Sequence, residues 1–115
     1  ILIIADSTAN PEFVAADLLS QAEHDILSSA ILITNSKQTA TAVALAVDEQ
    51  IEVLKRKEIA EKSIARFGAI IVVPDIDAAV ELSNRIAPEH LELQTKDPFA
   101  IIGQIRNAGA VFLGD

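Results

Sequence analysis

Two histidines and a set of carboxylates carry whatever acid–base or metal chemistry this 115-residue chain can perform, because it contains no cysteine. Asp17, Gln21 and His24 are spaced so that on a helix all three share one stripe beside the apolar face. A glutamine oxygen and an imidazole nitrogen one turn apart are donors able to ligate a divalent ion such as zinc, with further ligands from elsewhere. Taken alone the pair is a weak signal, since glutamine and histidine at this spacing are common on exposed helices. The second grouping is Pro88-Glu89-His90. Histidine is the side chain best poised for proton transfer near neutral pH, and an adjacent carboxylate can raise its basicity or polarise water. Adjacent residues on an extended chain point to opposite sides, so spacing does not by itself pair Glu89 with His90. On spacing alone, an exposed turn with a helix-stopping proline is the commoner meaning of this segment.

Regular elements must position these residues, and the chain alternates apolar runs with helical patterns with little between them. Ile1 to Ala5 is continuously apolar and ends at Asp6, as a strand buried on both faces reads. Asn10-Pro11-Glu12 supplies a capping amide, a proline at the first helical position and an acid in the first turn. This helix is expected to run to about Asp25, burying Val14, Ala15, Leu18, Leu19 and Ala22. Ile31 to Thr34 is a second strand, and Ser36 caps a long helix from about Lys37 to Phe67, with a break expected near Leu54 to Glu58. Ala69 to Val73 is a third strand stopped by Pro74, and Asp75 caps a helix over Ile76 to Ile86. Pro88 disfavours a helical Ala87 and turns the chain into His90 to Gln94, a strand by alternation. Asp97-Pro98 opens a further helix to about Asn107, Gly109 ends it, and Ala110 to Leu113 is the last strand. Strands and helices that alternate with short connections imply one parallel α/β sheet with right-handed crossovers.

Composition sets the outer limits. Half of the residues are apolar and 23% are charged, which fits one compact domain over residues 1–115 and excludes a disordered chain. No apolar run approaches the roughly eighteen residues of a membrane span and no signal peptide is visible, so no membrane contact and a cytoplasmic location are expected. Seventeen acidic against nine basic residues give a net charge of −8, which argues against a nucleic-acid partner. The one basic cluster, Lys55-Arg56-Lys57, is flanked by Glu52, Glu58 and Glu61 and reads as a solvated helix face. The four glycines form no phosphate-binding loop after the first strand, so no dinucleotide is placed by motif. The chain has no methionine, opens in a strand-like run and stops directly after another. A segment of a larger protein is therefore expected.

Three stretches resemble histidinol dehydrogenase: Leu18-Leu19-Ser20-Gln21-Ala22-Glu23-His24-Asp25, Ile86-Ala87-Pro88-Glu89-His90-Leu91-Glu92-Leu93 and Asn107-Ala108-Gly109-Ala110-Val111-Phe112-Leu113-Gly114. The opening Ile3-Ile4-Ala5-Asp6 and Pro11 to Ala16 are also similar to that family, so the resemblance spans the chain. It implies an enzyme of histidine biosynthesis that oxidises L-histidinol to L-histidine in two NAD-dependent steps through an aldehyde, at a zinc site. By motif match, Gln21 and His24 correspond to two zinc ligands, and the zinc positions the substrate. Glu89 and His90 match the acid–base pair: the histidine takes protons from the alcohol and the aldehyde hydrate, and the glutamate activates the hydrating water. The family's other two zinc ligands fall beyond this chain and its nicotinamide-binding segment falls before it. The resemblance further implies a homodimer whose active sites draw on both subunits, and a two-lobed parent.

The expected fold is a three-layer α/β domain with a parallel sheet, Rossmann-like or aldehyde-dehydrogenase-like in layer order. The isolated segment is expected to hold zinc poorly, to lack turnover and to be prone to self-association through surface once covered. The alternative is a non-catalytic binding or interaction module of flavodoxin-like shape. Its ligand would sit at the carboxyl ends of the strands, near Asp6, Asn35 and Pro74.

Overall fold

Each apolar run becomes a strand of one sheet. The computed structural model describes residues 1–24 and 29–114, His24 by its backbone alone. In it β1 (Leu2–Ala5), β2 (Ala30–Thr34), β3 (Gly68–Val72), β4 (His90–Gln94) and β5 (Ala110–Leu113) are all parallel, in the order β3-β2-β1-β4-β5. This is the order of a Rossmann half, with the winding direction switching between β1 and β4. A flavodoxin-like sheet would place its third strand beside its first, so that alternative shape is corrected by the topology.

Local chemistry starts the helices. In α1 (Pro11–His24) the Asn10 side chain accepts from the Glu12 N–H at 3.0 Å. In α2 (Lys37–Ile51) the Ser36 hydroxyl accepts from the Thr39 N–H at 3.1 Å, and in α4 (Ile76–Ile86) Asp75 accepts from the Ala78 N–H at 2.7 Å. Each cap satisfies an N–H that the helix itself cannot. The long stretch does divide: α2 stops at Ile51 and α3 (Lys57–Phe67) begins six residues later. One continuous helix would be about 46 Å long at 1.5 Å per residue, whereas the largest extent of the fold is 37 Å. Leu54 turns back onto Leu19, Ile51 and Ala60 in a small apolar cluster at the break. Lys57, from the basic cluster, is taken by Glu52 at 2.7 Å, an exposed surface pair.

The expected helix to Asn107 is corrected. Here α5 covers only Phe99–Ile102. Asn84 of α4 captures the following backbone: its side-chain oxygen accepts from the Arg106 N–H at 2.8 Å and its amide donates to the Gln104 carbonyl at 3.0 Å. The Asn107 side chain donates to the Asn84 carbonyl at 2.9 Å. Those contacts draw residues 104–107 out of the helix and towards β5.

Apolar alternation builds two cores, one on each face of the sheet. Ile3, Ala5, Ala30 and Leu32 pack against Val14, Ala15 and Leu18 of α1 and Val43 and Ala46 of α2. Leu2, Ile4, Ile33, Leu91 and Leu93 pack against Ala79, Val80 and Ile101. Burying each of these larger side chains contributes about 1.5–3 kcal/mol. The result is the three-layer arrangement expected. On the α1 side, however, β4 offers His90, Glu92 and Gln94 where β1 and β2 offer apolar groups. No helix among the described residues is long and apolar enough to cross a membrane.

Candidate active site

The segment Pro88-Glu89-His90 follows a backbone reversal at Ala87 that ends α4. Pro88 disfavours continuation of the helix through the residue before it and favours an extended one. Ala87 instead takes the left-handed region, φ 53° and ψ 60°, and closes α4 by donating its N–H to the Ser83 carbonyl at 2.9 Å. No other non-glycine residue among those described has positive φ. An alanine there costs about 1 kcal/mol, a strain of the kind that accumulates where side chains are aimed for function. The chain beyond is pinned from the start of β5. Gly109 donates its N–H to the Pro88 carbonyl at 3.1 Å, and Ala110 donates to the Glu89 carbonyl at 2.8 Å. His90 opens β4, is exposed, and sets its ring edge-on to Phe112 with centroids 6.0 Å apart and planes at 75°.

α1 reaches the same place from the other direction. It crosses over between two parallel strands, so it runs opposite to them and brings its last turns back to the end where strands begin. Gln21 thereby meets Pro88, Glu89 and His90 around a cavity of about 400 Å³, whose walls also include Ile1, Leu2 and Ser29. Glu89 and His90 both line it despite the alternation expected of neighbours on an extended chain, because Glu89 lies in the turn before β4 rather than in the strand. His24 is the last described residue of α1; its side chain and Asp25 lie outside the described residues.

The charges around this end are few. The backbone nitrogen of Ile1 donates to the Ser29 carbonyl at 2.7 Å. One step deeper on β4, Glu92 is pushed up to about 7, first by burial and then by a side-chain hydrogen bond with Asp17. Gln94 opposes this by donating to Glu92 at 2.8 Å. Glu92 is the residue that sequence reasoning missed. Its signal was the polar repeat His90, Glu92, Gln94 on one face of a strand otherwise buried.

The opposite end of the sheet, at the switch between β1 and β4, is occupied by the chain's own groups. The Asp6 carboxylate accepts from the Lys96 N–H at 2.9 Å and from both the N–H and the hydroxyl of Thr8. Burial works to raise its pKa, but these hydrogen bonds prevail and hold it low. An acceptor-only carboxylate at that crevice disfavours a phosphate there. A separate apolar cavity of about 320 Å³, lined by Leu18, Ala30, Val47, Ile64 and Ile70, offers packing surface rather than acid–base groups, with Asp48 its one ionisable neighbour.

Among the described residues no three His, Cys, Asp or Glu side chains cluster as a metal site. Gln21, whose amide oxygen is a possible ligand, stands on the cavity wall, and His24 follows it one turn later on the same helix. Two such donors fit part of a zinc site, which when tight has three or four ligands.

Comparison with known proteins bears on this arrangement. The histidinol dehydrogenase family matches residues 1–115. A histidinol dehydrogenase of Caldanaerobacter subterraneus subsp. tengcongensis is 56% identical over 112 residues, covering 97% of this chain and 26% of the relative. One from Synechococcus sp. is 54% identical over 114 residues, covering 99% of this chain and 26% of the relative. The crystal structure of histidinol dehydrogenase from Elizabethkingia anophelis superposes with a TM-score of 0.97 at 44% identity, over 99% of this chain and 26% of that one. The chain thus spans about a quarter of the length of the relatives it matches.

Proposed function

Because the chain belongs to the histidinol dehydrogenase family, we propose that it is the segment of such an enzyme that carries the acid–base pair and half of the metal site. The reaction is oxidation of L-histidinol to L-histidine with two NAD, by way of the aldehyde. The observation that supports this reading is the meeting of Gln21 with Glu89 and His90 around one cavity, from elements far apart in sequence.

Gln21 and His24 would hold zinc, which when bound gives the substrate a fixed point of attachment and polarises it. His90, exposed at the mouth of β4, accepts the proton that leaves the alcohol, and later the one that leaves the aldehyde hydrate. Glu89 accepts a proton from the water that hydrates the aldehyde. NAD, when bound, would supply the hydride acceptor for each oxidation, and His90, already in place as a base, takes the proton of the same carbinol group. The ring of Phe112 stands in T-shaped contact with His90, an arrangement that favours one orientation of the imidazole.

With two ligands of its own and no phosphate cradle, the isolated chain is expected to bind zinc weakly and to lack turnover. The complete enzyme is proposed to act as a homodimer in the cytoplasm. Exposed apolar side chains on the fragment, Phe99 and Phe112 among them, favour its self-association.

The test uses the complete enzyme carrying this segment. Gln21→Ala and His24→Ala should lose zinc, measured as metal content after dialysis. His90→Gln should keep its zinc and lose about 10²–10⁴-fold in kcat. Wild-type metal content in His24→Ala, or undiminished kcat in His90→Gln, would overturn the assignment.

A further inference from the structure

Resting on that reading, we propose that the stretch from Asn107 to Phe112 is a template that positions the acid–base pair, anchored to α4 by Asn84. Of the three stretches that resemble the family, the first carries Gln21 and His24 and the second Glu89 and His90. The third has no part in the reaction, yet the fold lays it alongside the second. The Asn107 side chain donates to the Asn84 carbonyl at 2.9 Å. The Gly109 N–H reaches the Pro88 carbonyl at 3.1 Å, and the Ala110 N–H reaches the Glu89 carbonyl at 2.8 Å. The Phe112 ring stands T-shaped to His90, with centroids 6.0 Å apart. Ala110 is the partner of His90 in the parallel pairing, so Phe112, two residues on, shares the face of the sheet from which His90 projects. The anchor lies just ahead of this stretch. Asn84 accepts from the Arg106 N–H at 2.8 Å and donates to the Gln104 carbonyl at 3.0 Å, so the chain enters β5 in one register.

Asn84, Asn107, Gly109, Ala110 and Phe112 stand outside the lining of the cavity that Gln21 shares with Glu89 and His90, and all five are positioning residues. Backbone bonds place Glu89, and an aromatic contact places the ring of His90. These contacts join residues 84–90 to residues 104–112, and none of them reaches α1, which carries Gln21 and His24. The acid–base pair and the metal ligands are therefore held by separate means. Each contact is modest alone, but a turn clasped at Asn84 on one side and at Phe112 on the other has little freedom left at Glu89. A reacting group displaced by about 1 Å can cost about 10²-fold in rate, so a distant clasp is enough to govern turnover.

The test uses the complete enzyme carrying this segment. Asn84→Ala should lower kcat about tenfold, with KM within about twofold of wild type and zinc content unchanged. Phe112→Leu should lower kcat about threefold to tenfold, and Phe112→Tyr, which keeps the ring, should stay within about twofold of wild type. Ser36→Ala, which removes the cap of α2 at the opposite end of the sheet, should cost stability and leave kcat unchanged. Wild-type kcat in a folded Asn84→Ala, or a loss in Ser36→Ala as large as in Asn84→Ala, would overturn the template. If Asn84→Ala does not fold, the Phe112 variants decide, and equal kcat in Phe112→Leu and Phe112→Tyr overturns it. Failure of the acid–base reading is separable: it would show as undiminished kcat in His90→Gln, whatever the Asn84 and Phe112 variants do.

Discussion

A β-carbon on Gly109 would lie 2.8 Å from the carbonyl oxygen of Glu89 and 3.4 Å from its Cα. The start of β5 therefore approaches the turn before β4 more closely than any side chain permits. That approach lets Gly109 and Ala110 hold Pro88 and Glu89 by their carbonyls. Backbone that cannot yield on one side and is hydrogen-bonded on it fixes where Glu89 and His90 begin.

Gly109→Ala should push this turn outward. The expected cost is about 1–3 kcal/mol of stability, typical of overpacking against backbone, read by urea unfolding. In the complete enzyme kcat should fall more than zinc content, because the acid–base pair moves while Gln21 stays. Wild-type stability and turnover together would show that the close approach is relaxed at no cost.

Ala87→Gly should be neutral or stabilising by up to about 1 kcal/mol, since glycine adopts the left-handed region without strain. Ala79→Gly, in the body of the same helix, should lose about 1 kcal/mol or more. Equilibrium unfolding of the two variants checks the contrast, and an Ala87→Gly loss matching that of Ala79→Gly would contradict it.

Asn84→Ala removes one donor and one acceptor that hold residues 104–106. A loss of about 1–3 kcal/mol is expected. Hydrogen exchange should quicken at Arg106, which loses its acceptor, and at Gly109 and Ala110, which follow it into β5. Unchanged exchange at Arg106 would mean that the loop is held by other contacts.

Glu92 gives stability a pH dependence whose sign follows from its shift. Its folded pKa of about 7 lies above the ordinary 4.5. The folded state then binds the extra proton between these values, and the contribution, complete below the unfolded pKa, is lost as pH rises through 7. With solvent screening of a half-exposed pair the loss is of the order of 1 kcal/mol. Thermal melts of Glu92→Gln should be flatter than wild type between pH 5 and about 8; parallel profiles would place the titrating group elsewhere.

What was legible in the sequence was local. Asn10, Ser36 and Asp75 announce helix starts by chemistry confined to three residues, and Pro88 announces the reversal at Ala87. The apolar runs gave the strands and the α/β class, and the three motifs pointed to Gln21, His24, Glu89 and His90. Strand order was not legible, since each run could pair with any other. The early end of α5 depends on Asn84, some twenty positions upstream, and no periodicity reports such a capture. The bond between Asp17 and Glu92 depends on the register of a helix against a strand that is not its sequence neighbour. Asp17 was visible on its stripe; what faced it was not.

The cavity lies where the strands begin, and this decides the sign of the field it feels. Helices of a parallel sheet present their C-termini at that end, and both α1, finishing at His24, and α4, finishing at Ile86, do so here. The unpaired carbonyls of a helix C-terminus act as roughly half a negative charge each. Two of them beside Gln21 and Glu89 favour a metal ion or a cationic substrate. The opposite end of the sheet, with its helix N-termini, is where a doubly wound fold ordinarily receives phosphate. This segment is therefore polarised for cations at the end where its motifs converge.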